Sequence, residues 1–128
     1  MAAKPIYVLV GNLFFAEKIV KRVQAQGLEA RAFDSAQKLI RASQEREPAL
    51  VVLDCEGLEK EAFNALREFR RDTRFSKVPS IGYLNGSKLE LKQEMQNAGC
   101  IHMYTKTEFS KELGNILTRA INGFSSRI

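Results

Sequence analysis

The run Leu50-Val51-Val52-Leu53-Asp54 joins four apolar residues to a carboxylate, and it is the part of the chain best placed to do chemistry. An uninterrupted apolar run has neither a helical nor an alternating period. It fits a strand covered on both faces of a parallel sheet. In open parallel sheets, ligands collect at the carboxyl ends of the strands. Asp54 is thereby presented where a ligand or a phosphoryl group could sit. A second apolar run, Ile6-Tyr7-Val8-Leu9-Val10, ends in Gly11-Asn12 and brings no acid to the same edge.

Other reactive side chains are sparse. Cys55 and Cys100 read as small, half-buried apolar side chains of a protein from a reducing compartment. With one histidine, His102, the chain lacks the roughly four suitably spaced ligands of a zinc site. His102 falls in a short strand without an evident partner acid and reads as a strand residue, not a catalytic base. The net charge is +5. Its densest cluster, Arg67, Arg70, Arg71, Arg74 and Lys77, falls on a helix end, where cations complement the helix dipole. No recognition-helix motif or aromatic-rich basic stretch accompanies it, so nucleic acid is not an expected partner.

The elements that must position Asp54 follow from the pattern. The chain has 128 residues, 45% of them apolar, enough for a single domain spanning 1–128 with its core at about 5–121. No apolar stretch approaches the roughly 20 residues that span a bilayer. The segment Met1-Ala2-Ala3-Lys4-Pro5 lacks a signal peptide's apolar region, so a cytoplasmic location is expected. Strand and helix alternate five times. Strands are expected at about 5–10, 29–33, 49–54, 80–84 and 100–104. Helices are expected at about 13–26, 35–45, 60–72, 87–98 and 108–121. Phe14, Ile19, Val20 and Val23 of the first helix should face the core, as should Phe63, Leu66 and Phe69 of the third and Phe109, Leu113, Ile116 and Leu117 of the fifth. Gly27 and Gly99 stop helices, and Ser35 caps the second. Asn85-Gly86 marks a turn, and Ser87 with Glu90 has capping-box spacing for the fourth helix. A tail at 122–128 is expected to be loosely ordered.

Five such units predict an α/β fold of the flavodoxin-like (βα)5 type, a doubly wound parallel sheet of strand order 2-1-3-4-5. Its ligand edge lies between strands one and three. Neither a glycine-rich dinucleotide fingerprint nor a P-loop follows the first strand.

With these positions set, the chain resembles the receiver domain of two-component response regulators over roughly residues 5–121. The landmarks are Leu50–Asp54, the segment Val78-Pro79-Ser80-Ile81-Gly82-Tyr83-Leu84, the stretch Asn97-Ala98-Gly99-Cys100, and Lys106. Asn12 lies 42 residues before Asp54, Leu84 lies 30 after it, and Lys106 lies 22 after Leu84. The resemblance implies that Asp54 stands at the phosphoacceptor position and Lys106 at a phosphoryl-contact position. It also implies an acidic pair for Mg²⁺ on strand one, a Ser or Thr ending strand four, and a switch aromatic on strand five. At those positions this chain has Gly11 and Asn12, Leu84, and Met103, with Tyr104 one place later. Thr107 replaces the proline usual after the lysine, and Leu58 the loop proline after the aspartate.

A hard Mg²⁺ ion wants several oxygen ligands, and Asp54, even with Glu56 and the neutral carbonyl of Asn12, is a poor site. No cofactor, metal or enzymatic activity is expected. Two readings of Asp54 stand. It is a phosphoacceptor in a rewired site, or a residual carboxylate paired with Lys106 at the sheet edge. The leading functional reading is a degenerate receiver, a phosphorylation-independent interaction module of bacterial signalling. By analogy with receivers, its protein partner, a kinase or a signalling or motility protein, would contact the fourth helix, fifth strand and fifth helix. The alternative is phosphorylation on Asp54.

Overall fold

A computed structural model of the chain describes residues 4–84 and 88–125, with side chains described through residue 120. Five strands and six helices alternate: β1 Ile6–Leu9, α1 Leu13–Ala25, β2 Ala30–Phe33, α2 Ala36–Glu45, β3 Leu50–Asp54, α3 Glu59–Arg71, β4 Ser80–Leu84, α4 Leu89–Ala98, β5 His102–Thr105, α5 Lys106–Lys111 and α6 Leu113–Ser125. The strands form one sheet of order β2-β1-β3-β4-β5. Every pairing is parallel. This is the topology expected from the sequence, with β1 and β3 adjacent at its centre.

Alternation along the strands divides the core in two, because successive side chains leave opposite faces of a sheet. Tyr7, Leu9, Val51, Leu53 and Leu84 pack with α2, α3 and α4. Ile6, Val8, Leu50, Val52, Ile81 and Tyr83 pack with α1, α5 and α6. The central strands are thus apolar on both faces, which is why β3 reads as a continuous run.

Most helix signals act as expected. Ser35 Oγ accepts the Lys38 N–H and caps α2. Gly27 and Gly99 follow α1 and α4 with φ of 80° and 125°, a region open to glycine at little cost.

Four local expectations are corrected. Phe14 is 87% exposed. The inward stripe of α1 is Phe15, Ala16, Ile19, Val20 and Val23, and Phe14 lies off that arc. The last helix begins at Lys106, two residues early, because Thr105 forms a capping box with Glu108. It is interrupted at Glu112, so two helices, α5 and α6, replace one; Phe109, Leu113, Ile116 and Leu117 still face the core. The expected tail is helical to Ser125. In α4, Lys88 occupies the N-cap position without a side-chain cap bond. The Asn85-Gly86 turn and the Ser87 cap lie outside the described residues, as do residues 126–128. Among the described residues no helix is long and apolar enough to cross a membrane.

Candidate functional site

Asp54 ends β3 at the carboxyl edge, but its side chain turns back into the following loop and is only 7% exposed. Its Oδ1 accepts the N–H groups of Glu56 at 3.1 Å and Gly57 at 2.7 Å. A β-carbon added to Gly57 would lie 2.5 Å from Asp54 Oδ2. Both carboxylate oxygens therefore abut the loop's backbone. The two amide bonds hold the carboxylate in place and fix the β3–α3 turn.

The neighbouring positions close the site further. The side chain of Leu58 packs against Gly11, within 3.4 Å of where a β-carbon on that glycine would sit. Aliphatic carbon thus fills the gap between the β1 and β3 loops. Asn12 Oδ1 accepts the Phe15 N–H at 3.0 Å as the N-cap of α1. Its carbonyl oxygen is committed to the helix and does not face a ligand. Leu84 is 3% exposed and belongs to the core against α3 and α4.

Lys106 opens α5 at the same sheet edge, where β4 and β5 run side by side. The ion pair with Asp54 considered above is not made. The Lys106 ammonium lies 5.3 Å from the centroid of the Phe15 ring, a cation–π contact. With Oδ1 held by two amides, Asp54 is satisfied without it.

Met103 is buried beside Gly82, on the face opposite Tyr104. Adjacent strand residues point to opposite faces, so Tyr104 cannot take the place of an aromatic at 103. Tyr104 stacks on His102 at 5.5 Å on the outer part of β5, with Arg119 near enough to lower its phenol pKa against the larger, opposite effect of burial.

Sequence reasoning missed the aromatic layer beneath this edge. Phe15 meets Tyr83 edge-on at 5.1 Å, and Tyr83 stacks on Phe109 at 5.0 Å. Tyr83 pairs with Asp54 across β3 and β4 and is 1% exposed. Among the described residues its hydroxyl has no hydrogen-bond partner. Burial first, and the Asp54 charge second, push its pKa far above the ordinary phenol range. The available signal was the α1 register: Asn12 as N-cap places Phe15, not Phe14, toward the sheet. Beyond Asp54, a cleft of about 720 Å³ opens between α1 and α5, with Phe15, Lys18, Glu56 and Lys106 on its wall.

This donor set does not fit a magnesium ion. One carboxylate faces its own loop, Glu56 is exposed, Asn12 caps a helix and Leu58 fills the intervening space. Among the described residues no three His, Cys, Asp or Glu side chains are grouped to hold a metal.

No family model and no curated protein sequence matches the chain. Solved structures do. NtrX from Brucella abortus superposes with a TM-score of 0.82 at 20% identity, over 98% of this chain and 28% of that one. This chain thus spans under a third of NtrX. The receiver domain of the sensor histidine kinase PA1611 from Pseudomonas aeruginosa PAO1, with a magnesium ion coordinated in its active site cleft, gives 0.79 at 20% identity, over 94% of this chain and 98% of that one. The signal receiver domain of a signal transduction histidine kinase from Syntrophus aciditrophicus gives 0.83 at 16% identity, over 98% and 96%. At these identities the likeness concerns architecture, and the fold of this chain is that of a receiver domain.

Proposed function

We propose that the chain is a degenerate receiver, a protein–protein interaction module of two-component signalling that works without phosphorylation of Asp54. The observation that carries this reading is the burial of the Asp54 carboxylate in the amides of its own loop, at 7% exposure. Phosphoryl transfer depends on in-line positioning and on neutralising charge around the transferred group. An acceptor oxygen must be free to approach, and these oxygens face Glu56, Gly57 and the backbone between them. Leu84 supplies no hydroxyl, and Leu58 stands where ligands would be needed. These features together support a site kept for its structural role.

The contact surface that fits this function is the side of the sheet formed by α4, β5, α5 and α6. β5 is an edge strand. Leu89 on α4 is 73% exposed and Ile101 before β5 is 47% exposed. His102 and Tyr104, on β5, follow Ile101 and are stacked on one another. Exposed apolar and aromatic side chains of this kind anchor protein interfaces. A kinase or another signalling protein in the cytoplasm is the partner class proposed.

The test is incubation of the chain with acetyl phosphate and Mg²⁺, followed by intact mass measurement. The unmodified mass is expected throughout. A phosphoryl adduct lost in Asp54→Asn would replace this reading with that of a rewired phosphoacceptor, for which the placement of Asp54 and Lys106 at one sheet edge speaks.

A further inference from the structure

The cleft between α1 and α5 is basic, and Asp54 is not on its wall. Lys18 enters it from α1, and Lys106 and Lys111 from α5. Glu56 is the single carboxylate lining it among the described residues. None of the three lysines is in an ion pair among the described residues; the ion pairs present engage Lys4, Lys21, Lys38, Arg46, Arg71 and Arg74. Lys18 Nζ instead donates to Ser110 Oγ at 2.6 Å, and Lys106 rests on Phe15. An adjoining groove shares Lys18 and Ser110 and adds Arg22. Three ammonium groups facing one carboxylate leave uncompensated positive charge in a concave space. Its volume, about 720 Å³, falls in the range of small-molecule sites.

The chemistry of the wall selects among anions. Lysines are compact, strongly hydrated point charges that suit phosphate oxygens, and the hydroxyls of Thr107 and Ser110 add neutral donors. A single monoanion would leave part of the charge unmatched. An aromatic base gains little here, because Lys106 already covers the Phe15 ring and Tyr83 meets it edge-on. We propose that this cleft binds a phosphate-bearing polyanion of the pyrophosphate or nucleoside polyphosphate class, without covalent attachment to the chain. The inference does not rest on the state of Asp54.

The experiment is calorimetric titration of the full chain with sodium pyrophosphate at low ionic strength, repeated with ATP and at higher salt. Saturable one-to-one binding is expected, weakening as salt screens the exposed charges. Each of Lys18→Gln and Lys111→Gln should weaken it by about threefold to fivefold, the scale of an exposed charge pair. Lys60→Gln on α3, outside the cleft, should bind as the unaltered chain. Equal affinity for ATP and pyrophosphate assigns recognition to the phosphates alone, and tighter ATP binding assigns part of it to the nucleoside. Absence of saturable binding overturns the proposal, as does binding that survives Lys18→Gln with Lys111→Gln in a variant of unchanged melting temperature. Neither failure touches the acetyl phosphate experiment, which reads a covalent adduct.

Discussion

At the scale of single residues, Asp54 and Gly57 form one unit. The carboxylate accepts two loop amides, and it fits only because Gly57 carries no side chain. Gly57→Ala should therefore force the loop or the carboxylate to move, costing about 1–3 kcal/mol as overpacking does. Asp54→Ala should cost about 1–3 kcal/mol by stranding partly buried N–H donors. The two changes act on the same contact, so their effects should fall short of additivity when combined. Urea denaturation of both single variants and the double variant measures this coupling; strict additivity would show that the carboxylate does not pack on Gly57. The sequence displayed the position of Asp54 through the run before it. It did not display the direction of the side chain, which is set by two backbone amides and a glycine that carry no pattern of their own. For the same reason the pairing of Asp54 with Lys106 looked plausible from their positions and is absent in the structure.

At the scale of elements, the join from β5 to α5 carries both Lys106 and one wall of the cleft. Thr105 Oγ1 accepts the Glu108 N–H at 3.0 Å, and Glu108 Oε1 accepts the Thr105 N–H at 2.9 Å. Thr105→Ala should cost about 1 kcal/mol, the ordinary loss of an N-cap. Glu108 has its pKa lowered, first by the Thr105 backbone bond and then by the side-chain bond. A carboxylate with a depressed folded pKa adds stability above its unfolded pKa and loses it as pH falls through the folded value. Part of the acid sensitivity of the domain should therefore disappear in Glu108→Gln, read as a flatter dependence of melting temperature on pH below about 4.3, the ordinary glutamate value. An unchanged slope would remove the capping box from the account. Element order, sheet order and the two glycine stops were legible in advance, because they follow from period and composition. The break of the last helix at Glu112 was not. The expected fifth strand stopped at residue 104 and the helix was placed from 108, although Thr105 and Glu108 carry the capping-box spacing that starts α5 at Lys106.

At the scale of the molecule, helices cover both faces of the sheet, and reactive groups are enclosed. Cys55 is held far above the ordinary thiol range, chiefly by burial, and burial pushes Cys100 up to about 12. Groups with raised folded pKa values contribute stability fully below their unfolded values and lose it as pH rises. Unfolding free energy should decline as pH rises above about 8.5, where exposed thiols ionise. Replacement of both cysteines by alanine should flatten that decline in urea titrations at successive pH values, whatever its effect at neutral pH. The same enclosure governs the response to metal. A ligand that binds only the folded chain adds about 2.7 kcal/mol at 100 times its dissociation constant. For a domain of this size that would raise the melting temperature by roughly 10 °C. Here Leu58 occupies the space beside Gly11, Asn12 is spent on α1, and Asp54 is turned into its loop, so among the described residues no oxygen cluster awaits the ion. Melting temperature should stay constant as Mg²⁺ is raised through the millimolar range. A rise that saturates with Mg²⁺ and vanishes in Asp54→Ala would mean that the loop opens to release the carboxylate, and the phosphoacceptor reading would then take precedence over the one proposed here.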